Sequence, residues 1–321
     1  MIHHLGSINH PNISTPLTTC QYFLTGICMK INKVSPDSND YLKVLANIDD
    51  KPQALYYLGE VPKQRQPTIA IVGTRKPTSY GIEVTHQFAS GLASRGFIIV
   101  SGLALGTDAL AHRACLDAGG TTIAIVPSQL PNIYPRSNSA LARRIVEKGG
   151  AILSEHSTDD TEPYILGRWS FLERNRLVSG LADAVLITEA SARSGTLNTA
   201  AHALAQGKDV FVIPGNITSP QSAGCNALIK QGATPVTSLD DILSVVTPEF
   251  MPESRTSQTK LPLGSTPAET AIIEQLAQGI RDGDQLQKTT QLPATEFNTA
   301  LTMLELTGAI RSLGANQWTL V

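Results

Sequence analysis

Four glycine-bearing stretches hold the residues best suited to binding chemistry: Gly73-Thr74-Arg75, Ser101-Gly102-Leu103-Ala104-Leu105-Gly106-Thr107-Asp108, Ser194-Gly195-Thr196 and Pro214-Gly215-Asn216. Glycine lets a backbone approach a ligand closely, and the unpaired N–H groups of a helix start favour an anion. Arg75 and Arg193 stand in or beside two of these stretches, so the expected ligand is a phosphate. Its kind is narrowed by two absences. Gly102 and Gly106 are four apart and make no G-x-G-x-x-G, and the chain holds no G-x-x-x-x-G-K-[ST] loop. Dinucleotide and P-loop nucleotide readings therefore lack their fingerprints.

A second group follows: Arg168, Trp169, Phe171, Arg174, Asn175 and Arg176, with Tyr164 just before it. Aromatics set among arginines suit a surface that tracks a polyanionic backbone while bases stack. The competing reading is a solvated helix start whose aromatics are core, with Arg174 and Arg176 paired to Glu173, Asp183 or Glu189. Tyr134-Pro135-Arg136 adds another aromatic and another guanidinium.

Catalytic sets are scarce. His112 and His202 show no metal spacing and read as structural histidines. Asp108 is expected to cap the helix that carries His112. Glu189 reads either as a general base or as the partner of a guanidinium. No serine lies in a G-x-S-x-G elbow. Cys20, Cys28, Cys115 and Cys225 are far apart, form no C-x-x-C pair and read as reduced thiols. No metal and no cofactor is expected.

The elements that must hold these residues follow from the apolar pattern. Short apolar runs at Ile69–Val72, Phe97–Val100, Thr121–Val126, Ala151–Leu153, Ala184–Ile187 and Val210–Ile213 alternate with helical periodicity at Gly81–Arg95, Gly106–Ala118, Ser137–Lys148, Thr196–Gln206 and Ser222–Gln231. Strands buried on both faces and alternating with helices predict an α/β fold, a Rossmann-like parallel sheet with helices on both faces. In such a sheet ligands bind beyond the carboxyl ends of the strands, where the glycine stretches fall.

The expected organisation is a poorly structured arm over 1–40, the Rossmann-like domain over 41–245, a proline-rich linker over 246–265 and a small C-terminal domain over 266–321. Within the domain Tyr41–Ile48 reads as a short amphipathic piece. The C-terminal stretch has helices at Glu269–Gln278, Asp282–Thr289 and Ala294–Thr307, then a hairpin turning at Gly314–Asn316, the outline of a winged helix.

The 321 residues carry 25 basic and 27 acidic side chains, with 41% hydrophobic residues. That balance excludes disorder and a polycation coating nucleic acid over its whole surface, though not a local basic patch. Residues 67–245 hold fourteen basic and fourteen acidic residues, and 261–321 hold three against six. Such an acidic tail is a poor groove binder and suits protein contact better. Nothing reads as a signal peptide or membrane span, so a cytoplasmic protein without membrane contact is expected.

In order along the chain, Gly73-Thr74-Arg75, the Ser101–Asp108 loop with Ala111-His112, Tyr134-Pro135, Ser154-Glu155, Arg174-Asn175-Arg176, Glu189-Ala190, Ser194-Gly195-Thr196, Pro214-Gly215 and Gly224-Cys225-Asn226-Ala227-Leu228-Ile229 resemble the DNA-processing protein A (DprA/Smf) family. The resemblance covers about residues 41–245, and the tail looks like the winged-helix domain that many members append. It implies an extended Rossmann domain that binds single-stranded DNA entering during natural transformation, dimerises, and helps load RecA recombinase onto the strand. It also implies that Arg75 holds a DNA phosphate at a pocket shaped by Gly73, Ser101, Gly102 and Gly106. Arg136 and Arg168, the latter ahead of Phe171, fall where members carry basic DNA-contacting residues. Together with Thr74, Arg174, Asn175, Arg176, Ser194, Gly195 and Thr196 these form the expected DNA and phosphate site. Two departures stand out: the family's Gly-Ile-Asp reads Gly106-Thr107-Asp108, and its Phe-Pro reads Phe171-Leu172. No SAM-like helical module is read ahead of residue 41. The alternative is a nucleoside-monophosphate glycosidase of the lysine-decarboxylase-like type, whose loop would be Arg193–Thr199; Asn198 stands there where a carboxylate is needed.

Overall fold

The computed structural model describes residues 22–24, 27–158, 160, 164–247, 264, 266–314 and 316–320. It divides into two compact units, residues 1–250 and 251–321. In chain order the first holds β1 (Tyr22–Leu24), β2 (Ile27–Met29), β3 (Asn32–Val34), β4 (Leu55–Gly59), β5 (Thr68–Val72), α1 (Ser79–Ala93), β6 (Ile98–Ser101), α2 (Thr107–Asp117), β7 (Thr122–Ile125), α3 (Ser139–Glu147), β8 (Ala151–Ser154), α4 (Arg168–Leu181), β9 (Ala184–Ile187), α5 (Thr196–Ala205), β10 (Asp209–Val212), α6 (Ala223–Lys230), β11 (Thr234–Pro235) and α7 (Leu239–Val246).

Nine strands pair in the order β11-β10-β9-β5-β6-β7-β8-β4-β3. From β11 to β8 every pairing is parallel, while β4 joins β8 and β3 joins β4 antiparallel. The six expected strands are all present, within a residue at each end. Their apolar runs are buried throughout β5, β6, β7, β8 and β9, as strands covered on both faces must be. One face packs on α4, α5 and α6 through Leu177, Val178, Leu181, Ala200, Ala203 and Leu228. The other packs on α1, α2 and α3 through Val84, Phe88, Leu92, Ala111, Leu141 and Ile145. In α1 the spacing of Val84, Phe88 and Leu92 buries one face, and the Thr78 hydroxyl caps its start by accepting from the Gly81 N–H.

One correction belongs to the amino-terminal side. Part of the expected loose arm, Asn32–Val34, is an edge strand of the sheet; residues 1–21 lie outside the described residues. The short amphipathic piece Tyr41–Ile48 is a 3-10 turn over Lys43–Asn47, which sinks Tyr41, Leu42 and Leu45 completely. These three pack under α4 within the same core as Leu177 and Leu181. Most of the expected linker, 248–263 and 265, is outside the described residues.

The second unit contains α8 (Pro267–Ala277), α9 (Gly283–Thr290), α10 (Ala294–Leu306) and the antiparallel pair β12 (Ile310–Gly314) and β13 (Gln317–Leu320). Thr266 and Asp282 cap α8 and α9 by accepting from the Glu269 and Gln285 N–H groups. A separate core forms from Ile272, Ile273, Leu276, Leu286, Phe297 and Leu304. Three helices closed by a hairpin make this the expected winged helix.

Candidate nucleic-acid interface

The order of the parallel strands creates a switch point. From β5 the chain proceeds through β6, β7 and β8 on one side, then crosses through α4 to β9 and β10 on the other. Adjacent connections leave β5 and β9 in opposite directions and open a crevice at their carboxyl ends. A cavity of about 710 Å³ occupies it, lined from β5 by Gly73, Thr74, Arg75 and Lys76, from β6 by Gly102 and from the start of α5 by Ser194, Gly195 and Thr196. Helix α4 turns Arg168, Phe171, Leu172 and Asn175, one face at 3.6-residue spacing, into the same cavity.

Local bonds shape the walls. The Thr196 hydroxyl donates to the Gly73 carbonyl at 2.9 Å and receives from the Ser194 hydroxyl at 2.9 Å, so α5 is tied to the end of β5. A Cβ on Gly73 would lie 2.6 Å from the Thr107 hydroxyl, which leaves room for glycine alone. At Gly106 φ is +77°, and a Cβ would lie 2.5 Å from the Thr74 carbonyl oxygen. Between the two, buried Leu103 is held at φ +55°, a conformation costly for a branched side chain. Asp108 accepts from the Gly102 and Ala104 N–H groups at 3.1 and 3.3 Å, and the Asn138 amide donates to the Leu103 carbonyl at 2.8 Å. Asp108 thus braces this loop instead of capping α2, whose start at Gly106 has no side-chain cap.

The cations divide into two kinds. Arg75, Lys76 and Arg168 are exposed at the cavity. The Arg75 guanidinium lies 5.5 Å from the Phe171 ring centroid, and Phe171 meets Tyr134 edge to face at 5.4 Å. This guanidinium–aromatic platform brings a charged group and two aromatic rings to one mouth.

Arg174, by contrast, is buried under the floor and donates to the Gly102 carbonyl at 2.7 Å and to the Ile125 carbonyl. Burial lowers its pKa to about 10, with Asp108 opposing the shift, so it remains charged at neutral pH. The same burial raises Asp108, against the pull of Arg174 and the two N–H groups.

The expected site is therefore corrected in part. Arg176 does not line the cavity: it makes two 2.7 Å bonds to the Glu155 carboxylate and a 3.1 Å bond to Asp50. Ser101 is buried with its hydroxyl donating to the Ile71 carbonyl at 2.6 Å, and it holds strands together. Arg136 is exposed on a short 3-10 turn outside the cavity wall. Gly106 shapes the loop without lining the cavity. Asn175 lines it while donating to Asn198 at 3.1 Å. Gly73, Thr74, Arg75, Gly102, Arg168, Phe171, Arg174, Asn175, Ser194, Gly195 and Thr196 come together.

Lys76, Gln221 and Thr199 also line the cavity and were not foreseen. Lys76 could have been read from its place beside Arg75. Tyr134, and not its neighbour Arg136, is the member of that pair on the wall.

The one candidate general base is engaged, and His112 is structural as expected. Glu189 accepts from the Thr78 N–H and hydroxyl at 2.9 and 2.7 Å, anchoring the start of α1, and among the described residues it pairs with no guanidinium. His112 is fully buried, with Nδ1 2.7 Å from the Thr122 hydroxyl, and burial lowers its pKa to about 3. Among the described residues no three His, Cys, Asp or Glu side chains cluster as metal ligands, and no helix is long and apolar enough to cross a membrane.

Residues 32–247 match the family model described as DNA recombination-mediator protein A, and 256–316 match the DprA winged helix domain. Among curated relatives, Protein Smf of Escherichia coli is 42% identical over 210 residues, 65% of this chain and 55% of that protein. DNA processing protein DprA of Bacillus subtilis is 38% identical over 233 residues, 72% of this chain and 74% of that protein. The chain thus spans about half the length of the first relative and three quarters of the second. Among solved structures, DNA processing protein A of Streptococcus pneumoniae aligns with a TM-score of 0.60 at 36% identity, covering 68% of this chain and 75% of that one. That of Helicobacter pylori, described for its single-stranded DNA binding mode, aligns at 0.59 with 32% identity over 68% of this chain and 97% of that one.

Proposed function

The chain belongs to the DNA recombination-mediator protein A family, and we propose from that premise that it binds single-stranded DNA at the crevice between β5 and β9. The observation that carries the reading is the joining of three exposed cations, Arg75, Lys76 and Arg168, to the Phe171–Tyr134 rings at one cavity. Phosphates need the cations and a helix start; unpaired bases need ring faces. Arg75, Thr74, Ser194, Gly195 and Thr196 take the phosphates, and Phe171 offers its ring. Gly73, Gly102 and Gly106 keep the backbone close, while Arg174 and Asn175 hold the floor in place.

The strand served is one entering during natural transformation, protected and passed to RecA recombinase by a homodimer in the cytoplasm. The protein needs neither cofactor nor metal for this and catalyses no reaction. The winged helix serves as a protein contact: its α10 exposes Glu296, Glu305, Met303 and Leu306 and no basic residue.

A glycosidase finds little support in the site. Asp108 is the one carboxylate on the cavity wall among the described residues, and it is engaged with two backbone N–H groups. Competition tests the choice: unlabelled single strands displace a labelled oligo-dT better than duplex of equal length. A preference for duplex overturns the reading, and release of free base from nucleoside monophosphates would establish the enzyme instead.

A further inference from the structure

Trp169 is 80% exposed, an unusual setting for an indole, which on average is among the more buried side chains. Single exposed apolar residues need no explanation, but this one has company. Leu105, Tyr134, Ile165 and Ile217 are 48%, 46%, 87% and 91% exposed. They lie in the segments that leave β6, β7, β8 and β10, at the carboxyl edge of the sheet where the cavity opens. Trp169 stands in the first turn of α4 between Arg168 and Phe171, both on the cavity wall, and its own ring is outside that wall. Around the helix it follows Leu172, the last wall residue on that side, by about 60° at 100° per residue.

We infer that Trp169 is a second stacking platform, which takes a nucleobase of the strand beyond the nucleotide seated in the cavity. The inference rests on the single-strand reading above and extends it to a residue that reading does not use. The ligand class follows from the surroundings: an exposed indole one position along α4 from the exposed Arg168 suits an unpaired base whose phosphate is neutralised by the cations of the cavity. Stacking of this kind tolerates any base, because each presents a π-face. It carries no charge, so it adds affinity without adding to salt dependence.

The test uses the full chain, labelled oligo-dT and an abasic strand of the same length. Trp169 and Trp318 are the two tryptophans, so oligo-dT should quench intrinsic fluorescence in the wild type and much less in Trp169→Phe. Trp169→Ala should weaken oligo-dT binding about tenfold with the salt slope unchanged, leave abasic binding unchanged, and be rescued largely by Trp169→Phe. Equal losses on both strands, or undiminished affinity with no quenching assigned to Trp169, overturn the platform while Arg75-dependent binding persists. Failure of the wild type to bind any single strand overturns the reading beneath it as well. Because the side chain is exposed, these variants keep the wild-type melting temperature, which checks that they fold.

Discussion

At the level of single residues, arginines that look alike in sequence have opposite roles. Arg168 is solvent-exposed at the cavity, whereas Arg176, eight positions on, is fastened to Glu155 and Asp50. Those partners lie 21 and 126 residues away in sequence, so no local pattern announces them. Arg176 is buried, whereas Asp50 is exposed and Glu155 partly so, and removing the guanidinium leaves the Glu155 charge without its partner. Arg176→Ala should therefore lose about 3 kcal/mol of stability in urea melts, while strand affinity of the folded protein stays within about twofold. His112 yields a pH prediction. Its folded pKa of about 3 lies below the unfolded 6.5, so the unfolded state alone takes up a proton between them. Stability then falls as pH drops below 6.5, by up to about 1.4 kcal/mol per unit. Asp108, raised by burial, works in the opposite sense at the acid end. His112→Gln should flatten the fall between pH 6.5 and 4, measured by melts of both proteins at each pH.

Among the elements, the legible ones obey a single period. The six expected strands carry short apolar runs because both faces of the sheet are covered, and α1 is an even stripe of Val84, Phe88 and Leu92. The elements that escaped carry polar groups where a core face is expected. Helix α4 buries Arg174 and Arg176 beside Leu177 and Val178, so its apolar period is interrupted and the segment reads as a basic stretch alone. Strand β4 has two tyrosines and pairs antiparallel with both β8 and the edge strand β3, outside the alternation of strand and helix that marks the parallel strands. The site was legible where it depends on backbone, as at Gly73 and Gly106, and illegible where it depends on packing, as at Arg174. The loop before α2 is open to direct test. Gly106→Ala forces a positive φ on alanine and drives its Cβ against the Thr74 carbonyl. The melting temperature should drop, by roughly 1–3 kcal/mol of stability, and oligo-dT affinity should drop with it because Thr74 and Arg75 are displaced. Unchanged affinity would separate this loop from the binding surface.

For the molecule as a whole, charge is distributed more tellingly than its sum suggests. Residues 67–245 are neutral in total, yet three exposed cations meet at one edge while Arg174 and Arg176 are withdrawn into bonds. The winged helix has three basic residues against six acidic ones over 261–321 and its own core. Deleting residues 251–321 should thus leave oligo-dT affinity within about twofold, and a larger loss in a protein with an unchanged melting transition of the sheet unit would assign DNA contact to the tail. The claim on which everything else depends is that the β5–β9 crevice holds strand phosphates on Arg75. A salt titration of labelled oligo-dT binding, wild type against Arg75→Ala, tests it most directly. The expected result is weaker binding and a slope of log K against log salt that is shallower by about 0.7, one phosphate contact on a single strand. The same affinity and slope in both proteins would contradict it.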